Sequence, residues 1–170
     1  MKTIFYVILL IQLCSCLPEA TNTVDPQLER STVRIKTVHG DILIKLFPQK
    51  APLSVERIRL LTDKGFYNGL IFHKVIPNFI IQTGDPDGSG EGGSGQGLKG
   101  EKNNLLHTLG TLSMVRQESD INSADSQFFI CIGECEKLDG RYTIFGHIVA
   151  GIEIAKKIQL NDKIIFMTLE

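Results

Sequence analysis

The chain has 170 residues, 18 Lys plus Arg against 19 Asp plus Glu, and a formal net charge of -1. Without a global positive field it is not built to hold nucleic acid or an anionic membrane surface, so a protein or small-molecule partner is expected. Its length suits one domain, and 16 Gly with 7% aromatics and no Trp suit a β-rich domain with many turns.

Residues 1–20 read differently from the rest. Lys2 is the only early charge, Ile4 to Leu13 is nearly all apolar, and small or polar residues follow, which is the layout of a secretory signal. The apolar run is too short for the ~20 residues of a transmembrane helix. Leu13-Cys14-Ser15-Cys16 is similar to a bacterial lipobox, which makes Cys16 a lipidation candidate with the signal ending before it. Ordinary cleavage after Ala20 is the rival reading. An exported protein is expected either way, periplasmic or outer-membrane-anchored in a bacterium, with eukaryotic secretion as the second reading. Residues 21–30 are polar and read as a tether, leaving 31–170 as the domain.

Val33, Ile35 and Thr37, then Ile42, Ile44 and Leu46, alternate with polar residues about His39-Gly40-Asp41, the pattern of an antiparallel hairpin. Ser54 through Lys64 spaces Val55, Ile58 and Leu61 three apart before Gly65, which predicts a helix. Strands are predicted at Leu70 to Ile76, Phe79 to Thr83, Thr111 to Val115, Phe128 to Ile132, Thr143 to Ala150 and Lys163 to Leu169, with a second helix over Gly151 to Asn161. Two isolated helices among so many strands favour a closed antiparallel sheet, because closure removes exposed edges.

Several patterns point to no chemistry of their own. Gly88, Gly90 and Gly93 satisfy G-x-G-x-x-G, but more Gly and Ser follow where a phosphate-binding helix would have to start. Asp85, Asp87 and Ser89 imitate the start of a calcium loop whose twelfth position is Gln96 rather than Glu. A long surface loop is the simpler reading. His39, His73, His107 and His147 share no spacing with one another or with acidic residues, so no metal site and no Ser or Cys triad is indicated. Cys131 lies in an apolar run and Cys135 beside Glu134 and Glu136, which reads as one buried and one surface thiol, with a bridge as the rival.

The informative stretch is Phe72-His73-Lys74-Val75-Ile76-Pro77-Asn78-Phe79-Ile80-Ile81-Gln82-Thr83-Gly84-Asp85. It is followed in order by Leu112-Ser113-Met114-Val115, Asn122-Ser123-Ala124-Asp125-Ser126-Gln127-Phe128-Phe129-Ile130 and Leu138-Asp139-Gly140-Arg141-Tyr142-Thr143-Ile144-Phe145-Gly146. Together, from about Val33 to Leu169, these resemble the cyclophilin family of peptidyl-prolyl cis/trans isomerases. Thr83-Gly84-Asp85-Pro86 and Asn122-Ser123-Ala124 look more like its bacterial, exported branch.

The resemblance implies a mainly β fold, a closed eight-stranded antiparallel barrel capped by two α-helices, that turns X-Pro bonds in exported proteins and assists their folding. It implies a monomer with no cofactor and no metal, acting on proline-containing polypeptides, with membrane contact only through an N-terminal lipid. It assigns catalytic roles to Lys74, Gln82 and Phe79, and substrate contacts to Ile80, Val115, Arg116, Gln127, Phe129, Leu138 and Tyr142. Within that set Phe79, Ile80, Phe129 and Leu138 would form an apolar pocket for the proline ring, with Tyr142 at its rim. Val115 and Arg116, supported by Gln127, would line the groove for the residue before proline.

Lys74 departs from the family, which carries its catalytic arginine there, so a lower rate is expected. The alternative function is then a catalytically weak peptide-binding chaperone or adhesion module. Lys137 stands where animal members carry the tryptophan associated with cyclosporin binding, and tight binding of that drug is not expected.

Overall fold

A computed structural model describes residues 31–170; the expected signal and tether, with Cys16, lie outside the described residues. Eight strands form one antiparallel sheet: β1 (Thr32–Thr37), β2 (Gly40–Leu46), β3 (Lys74–Ile76), β4 (Ile80–Thr83), β5 (Thr111–Met114), β6 (Phe128–Cys131), β7 (Ile144–Ala150) and β8 (Ile164–Leu169). Their spatial order is β3-β4-β6-β5-β7-β2-β1-β8. The predicted hairpin opens the fold, with Thr37 paired to Gly40 across a turn at Val38 and His39. Val33, Ile35, Ile42 and Ile44 are fully buried, while Arg34, Lys36 and Lys45 stand on the opposite face. That alternation sets the register, because a slip of one residue would exchange the two faces.

The sheet curls around a core that also takes Val55, Ile58 and Leu61 of helix α1 (Pro52–Asp63). Pro52 opens that helix, where its missing N–H costs no hydrogen bond. The helix lacks a side-chain cap of its own. The Glu101 carboxylate, far away in sequence, accepts from the backbone N–H of Leu53 at 2.7 Å and of Ser54 at 2.8 Å, favourably placed at the positive end of the helix dipole.

Two expectations change. The second helix, α2, spans only Ile152–Ala155, not Gly151 to Asn161. The Asp162 carboxylate takes the Gln159 N–H at 2.7 Å, and Asn161 adopts a positive φ of 70°, so the chain turns instead of completing the expected helix; Ala155 and Ile158 are buried all the same. The long strand predicted from Leu70 shortens to three residues. Before it, Phe72 N–H donates to Asp162 O and Ile164 N–H to Leu70 O, each at 2.8 Å, around a single bridge between Ile71 and Lys163. End strands β3 and β8 share no ladder, and the observed architecture is a curled eight-stranded antiparallel sheet with two helices.

Candidate active site

Side chains alternate across a strand, and on β4 and β6 that rule separates two environments. Ile81, Phe128 and Ile130 enter the main core. Ile80, Phe129 and Cys131 face the other way and form a second apolar cluster with Cys135 and Leu138, against which Phe79, Val115 and Tyr142 pack. Six of the substrate-pocket residues expected from sequence therefore come together from four segments of the chain. Phe129 meets Tyr142 edge to face with ring centroids 5.3 Å apart.

Beside this cluster runs a row of directly opposed residues on one sheet face. Lys74 of β3 pairs with Gln82 of β4, Gln82 with Phe129 of β6, and Phe129 with Ser113 of β5. Opposed side chains in such a row have Cβ atoms about 4.5–5.5 Å apart, so cation, amide and aromatic ring are immediate neighbours. The Lys74 side chain is exposed, and its ammonium makes no hydrogen bond or ion pair among the described residues.

Gln82 is 8% exposed. Its Nε2 donates to Gln127 Oε1 at 2.8 Å and lies 3.3 Å from His73 Nε2. The amide orientation follows from this network: both N–H bonds are committed, and Oε1 alone is left to accept. This arrangement suits a cationic side chain as the partner of Gln82 and not a substrate carbonyl, which needs a donor. Burial lowers the His73 pKa, with Lys74 acting in the same sense and Asp85 and Gln127 opposing it. The neutral ring this favours accepts through Nε2 when its proton is on Nδ1, which is buried without a hydrogen-bond partner.

Gln127 also shapes the glycine-rich loop, donating to the carbonyls of Gly90 at 2.9 Å and Gly92 at 2.7 Å. With Val115 and Arg116 it lines a cleft of about 450 Å³ against that loop. The loop is organised by two carboxylates. Asp85 accepts from the N–H of Asp87 at 2.8 Å and of Gly90 at 2.5 Å. Asp125 accepts from the N–H of Gly95 at 2.8 Å and from Arg57 Nη1 at 2.7 Å. Burial disfavours the Asp85 charge, but the N–H groups of Asp87, Gly90 and Gly92 outweigh it and hold its pKa below the usual range. A Cβ at Gly92 would overlap the Asp85 carboxylate, so glycine is required there for close approach.

Arg116 Nε donates to Arg141 O at 2.9 Å, and its guanidinium lies 5.5 Å from the Tyr142 ring centroid. Lys137 Nζ sits 4.1 Å from the Phe79 ring centroid, a cation–π contact at the cluster's edge.

The sequence reading missed what lies under Phe129. His107 is fully buried and stacks on that ring at 5.9 Å. Its Nδ1 is 2.9 Å from Asp139 Oδ1 and its Nε2 2.9 Å from Ser113 Oγ. This Ser–His–Asp line resembles a hydrolase triad in connectivity, but Ser113 is fully buried and no substrate reaches it. It holds Phe129 and the Asp139 turn in place. The sequence carried no signal for it, because Asp139 lies 32 residues beyond His107 and no periodic spacing links the three. Cys135 is likewise corrected: it is fully buried, not a surface thiol, since the chain folds back after β6 and places it under Phe79.

An exposed cation, an acceptor amide and an apolar aromatic cluster on one sheet face make up the candidate site. The family model for cyclophilin-type peptidyl-prolyl cis-trans isomerases matches residues 32–164. A peptidyl-prolyl cis-trans isomerase of Schizosaccharomyces pombe is 41% identical over 137 residues, covering 76% of this chain and 86% of its own. One of Helicobacter pylori is also 41% identical, over 132 residues, covering 75% and 80%. A cyclophilin-type isomerase of Cryptosporidium parvum, solved in the presence of the dipeptide Ala-Pro, superposes with a TM-score of 0.76 at 32% identity, covering 82% of this chain and 98% of its own.

The chain belongs to the cyclophilin-type peptidyl-prolyl cis-trans isomerase family, and its reaction is rotation about X-Pro bonds. The fungal and bacterial relatives are equally identical, so these two do not distinguish one branch from the other.

Proposed function

We propose that Lys74, Gln82 and Phe79, together with the apolar cluster, form the catalytic groove, and that its substrates are X-Pro segments of exported proteins. Uncatalysed rotation is slow because amide resonance sets a barrier of about 18–20 kcal/mol. A catalyst needs no covalent step; it must bind the twisted amide better than either planar form. When the amide twists, the prolyl nitrogen regains its lone pair. The apolar pocket of Phe79, Ile80, Phe129 and Leu138 grips the proline ring and excludes water, while the Lys74 ammonium donates towards that lone pair. Gln82 Oε1 steadies the ammonium from the neighbouring strand. Val115 and Arg116 face the residue before proline, across the cleft that Gln127 shapes.

The observation that carries this reading is the Lys74–Gln82–Phe129 row beside the apolar cluster. Lysine is a flexible, strongly hydrated point charge, whereas arginine is a planar fork that bonds to substrate and glutamine at once. One charge-assisted hydrogen bond missing from the transition state corresponds to about 1.5–3 kcal/mol, roughly ten- to a hundredfold in rate. Lys74→Arg should therefore raise kcat/KM on an X-Pro peptide by about that factor, and Lys74→Ala should lower it about tenfold, both read in a protease-coupled or NMR exchange assay. An unchanged or lower rate in the arginine variant would refute the role given to Lys74. Peptide binding without acceleration by the native chain would favour the second reading, a peptide-binding chaperone, which the lysine itself supports.

The apolar leader of residues 4–13 supports export, to the periplasm or to an outer membrane through a lipid on Cys16. Intact mass of the processed protein tests this: a mature chain starting at Thr21 without added lipid would refute the acylation. Closure of the sheet into a barrel is our reading of the Ile71–Lys163 bridge.

A further inference from the structure

Cys131 and Cys135 take no part in the isomerase mechanism, yet they sit directly behind its pocket. Both are fully buried in the cluster that holds Ile80, Phe129 and Leu138. Cys131 ends β6 opposite Ile80 of β4. Cys135 precedes the 3-10 turn Glu136–Leu138, whose Leu138 faces the pocket. The two thiols share one buried cluster, and the Cys135 Sγ–H donates to the Phe79 carbonyl at 3.2 Å. The connecting loop has no slack. Ile132 N–H donates to the same carbonyl at 2.8 Å, and a Cβ at Gly133 would overlap the Asn78 carbonyl.

We propose that Cys131 and Cys135 are a dithiol modification site that closes to a disulfide when the chain folds in an oxidising compartment, and that this bond resets the substrate pocket through Phe79 and Leu138. In the forming step the Cys135 thiolate attacks a disulfide oxidant. The oxidant's S–S bond breaks, a mixed disulfide forms and one thiol leaves. The Cys131 thiolate then displaces the second thiol, completing the protein S–S bond. Two protein thiols lose two electrons, the oxidant gains them, and the two protons end on the released thiols.

Burial raises the pKa of both cysteines, and only the thiolate attacks. The reaction therefore belongs to the folding chain, whose sulfurs are still in water. So small a ring removes little freedom from the unfolded chain, and the consequence of the bond is local. Drawing the sulfurs to about 2.05 Å removes the Cys135 donor from the Phe79 carbonyl and pulls on the turn that carries Leu138.

The activity readout rests on the isomerase reading; the covalent readout does not. The full chain is denatured and refolded in reduced or in oxidised glutathione, free thiols are blocked with N-ethylmaleimide, and the tryptic peptide spanning residues 117–137, which carries both cysteines, is weighed. From the oxidised buffer the peptide should lack both labels and two hydrogen masses, and kcat/KM should be severalfold below that of the reduced protein. Cys135→Ser keeps a donor for the Phe79 carbonyl and should give one kcat/KM from both buffers, as should Cys131→Ala. Two labelled cysteines from the oxidised buffer, bonds only to glutathione or to Cys14 or Cys16, or a disulfide form with unchanged kcat/KM would each overturn the proposal. A reduced protein without isomerase activity would overturn the catalytic reading alone; calorimetric affinity for an X-Pro peptide then replaces rate as the pocket readout.

Discussion

The role proposed for Gln82 rests on its orientation. With its Nε2 committed to Gln127 and His73, its oxygen is free for Lys74, and the arrangement holds only while His73 Nε2 is an acceptor. Protonating His73 would set N–H against N–H and turn the amide over. Burial lowers the His73 pKa, Lys74 adds to this, and Asp85 and Gln127 oppose it, so the ring stays neutral below the ordinary histidine value of about 6.5. kcat/KM should therefore be flat through neutral pH and fall on an acid limb lying below about 6.5. His73→Gln, which cannot take up the proton, should lack that limb; a pH–rate profile that keeps it would place the titration elsewhere. The sign for stability agrees. The unfolded chain takes up the proton first, so the contribution of His73 is lost as pH falls from about 6.5 through the lower folded value.

At the scale of elements, α1 reaches the site through one side chain. Arg57 Nη1 donates to Asp125 at 2.7 Å and to the Gln96 carbonyl at 2.5 Å, tying the helix to the wall of the cleft beside Val115 and Gln127. Arg57 is 11% exposed and Asp125 18%, so the pair is better shielded than a surface ion pair. Arg57→Ala should loosen the glycine-rich loop and raise KM severalfold while kcat changes little. It should also cost about 1–3 kcal/mol in stability, the penalty for leaving a partly buried acceptor short of a partner. Steady-state kinetics together with urea unfolding would check both, and a fall in kcat alone would show that the loop does not hold substrate.

For the whole molecule, one curled sheet serves two purposes because its strands alternate: one face fills the core and the other carries the Lys74–Gln82–Phe129 row. Carboxylates tie its loops down. The pKa of Asp41 is lowered chiefly by Arg34, that of Asp139 chiefly by the His107 backbone N–H, and that of Asp85 by loop N–H groups that outweigh its burial. Asp162, also opposed by burial, is lowered by the Gln159 N–H and by His39. Folded values below the unfolded value of about 3.9 mean that this stabilisation is fully present above that pH and is lost as pH falls through the folded values. The urea midpoint should therefore fall steeply below about pH 4. A midpoint that holds to pH 2 would show that these contacts contribute nothing.

The hairpin and α1 were legible in the sequence because each is a local pattern: two-residue alternation fixes which face of β1 and β2 is buried, and three-residue spacing fixes the inward stripe of α1. The residues of the row were legible only through motif resemblance, since Phe129 and Ile80 in apolar runs look like ordinary core. Their separation from the core follows from strand pairing, which a linear pattern does not contain. The Glu101 cap, the Ser113–His107–Asp139 line, the shortening of α2 by Asp162 and the burial of Cys135 behind Phe79 have one of two causes, neither contained in a periodic pattern. Each depends on a partner brought in by the chain's return from far along the sequence, or on a tight turn whose packing decides exposure. The residues by themselves determined the class of reaction and singled out Lys74 as the departure from the family pattern. The tertiary structure decided which way Gln82 faces and placed two thiols against the back of the pocket, because hydrogen-bond partners and burial are properties of the packed chain.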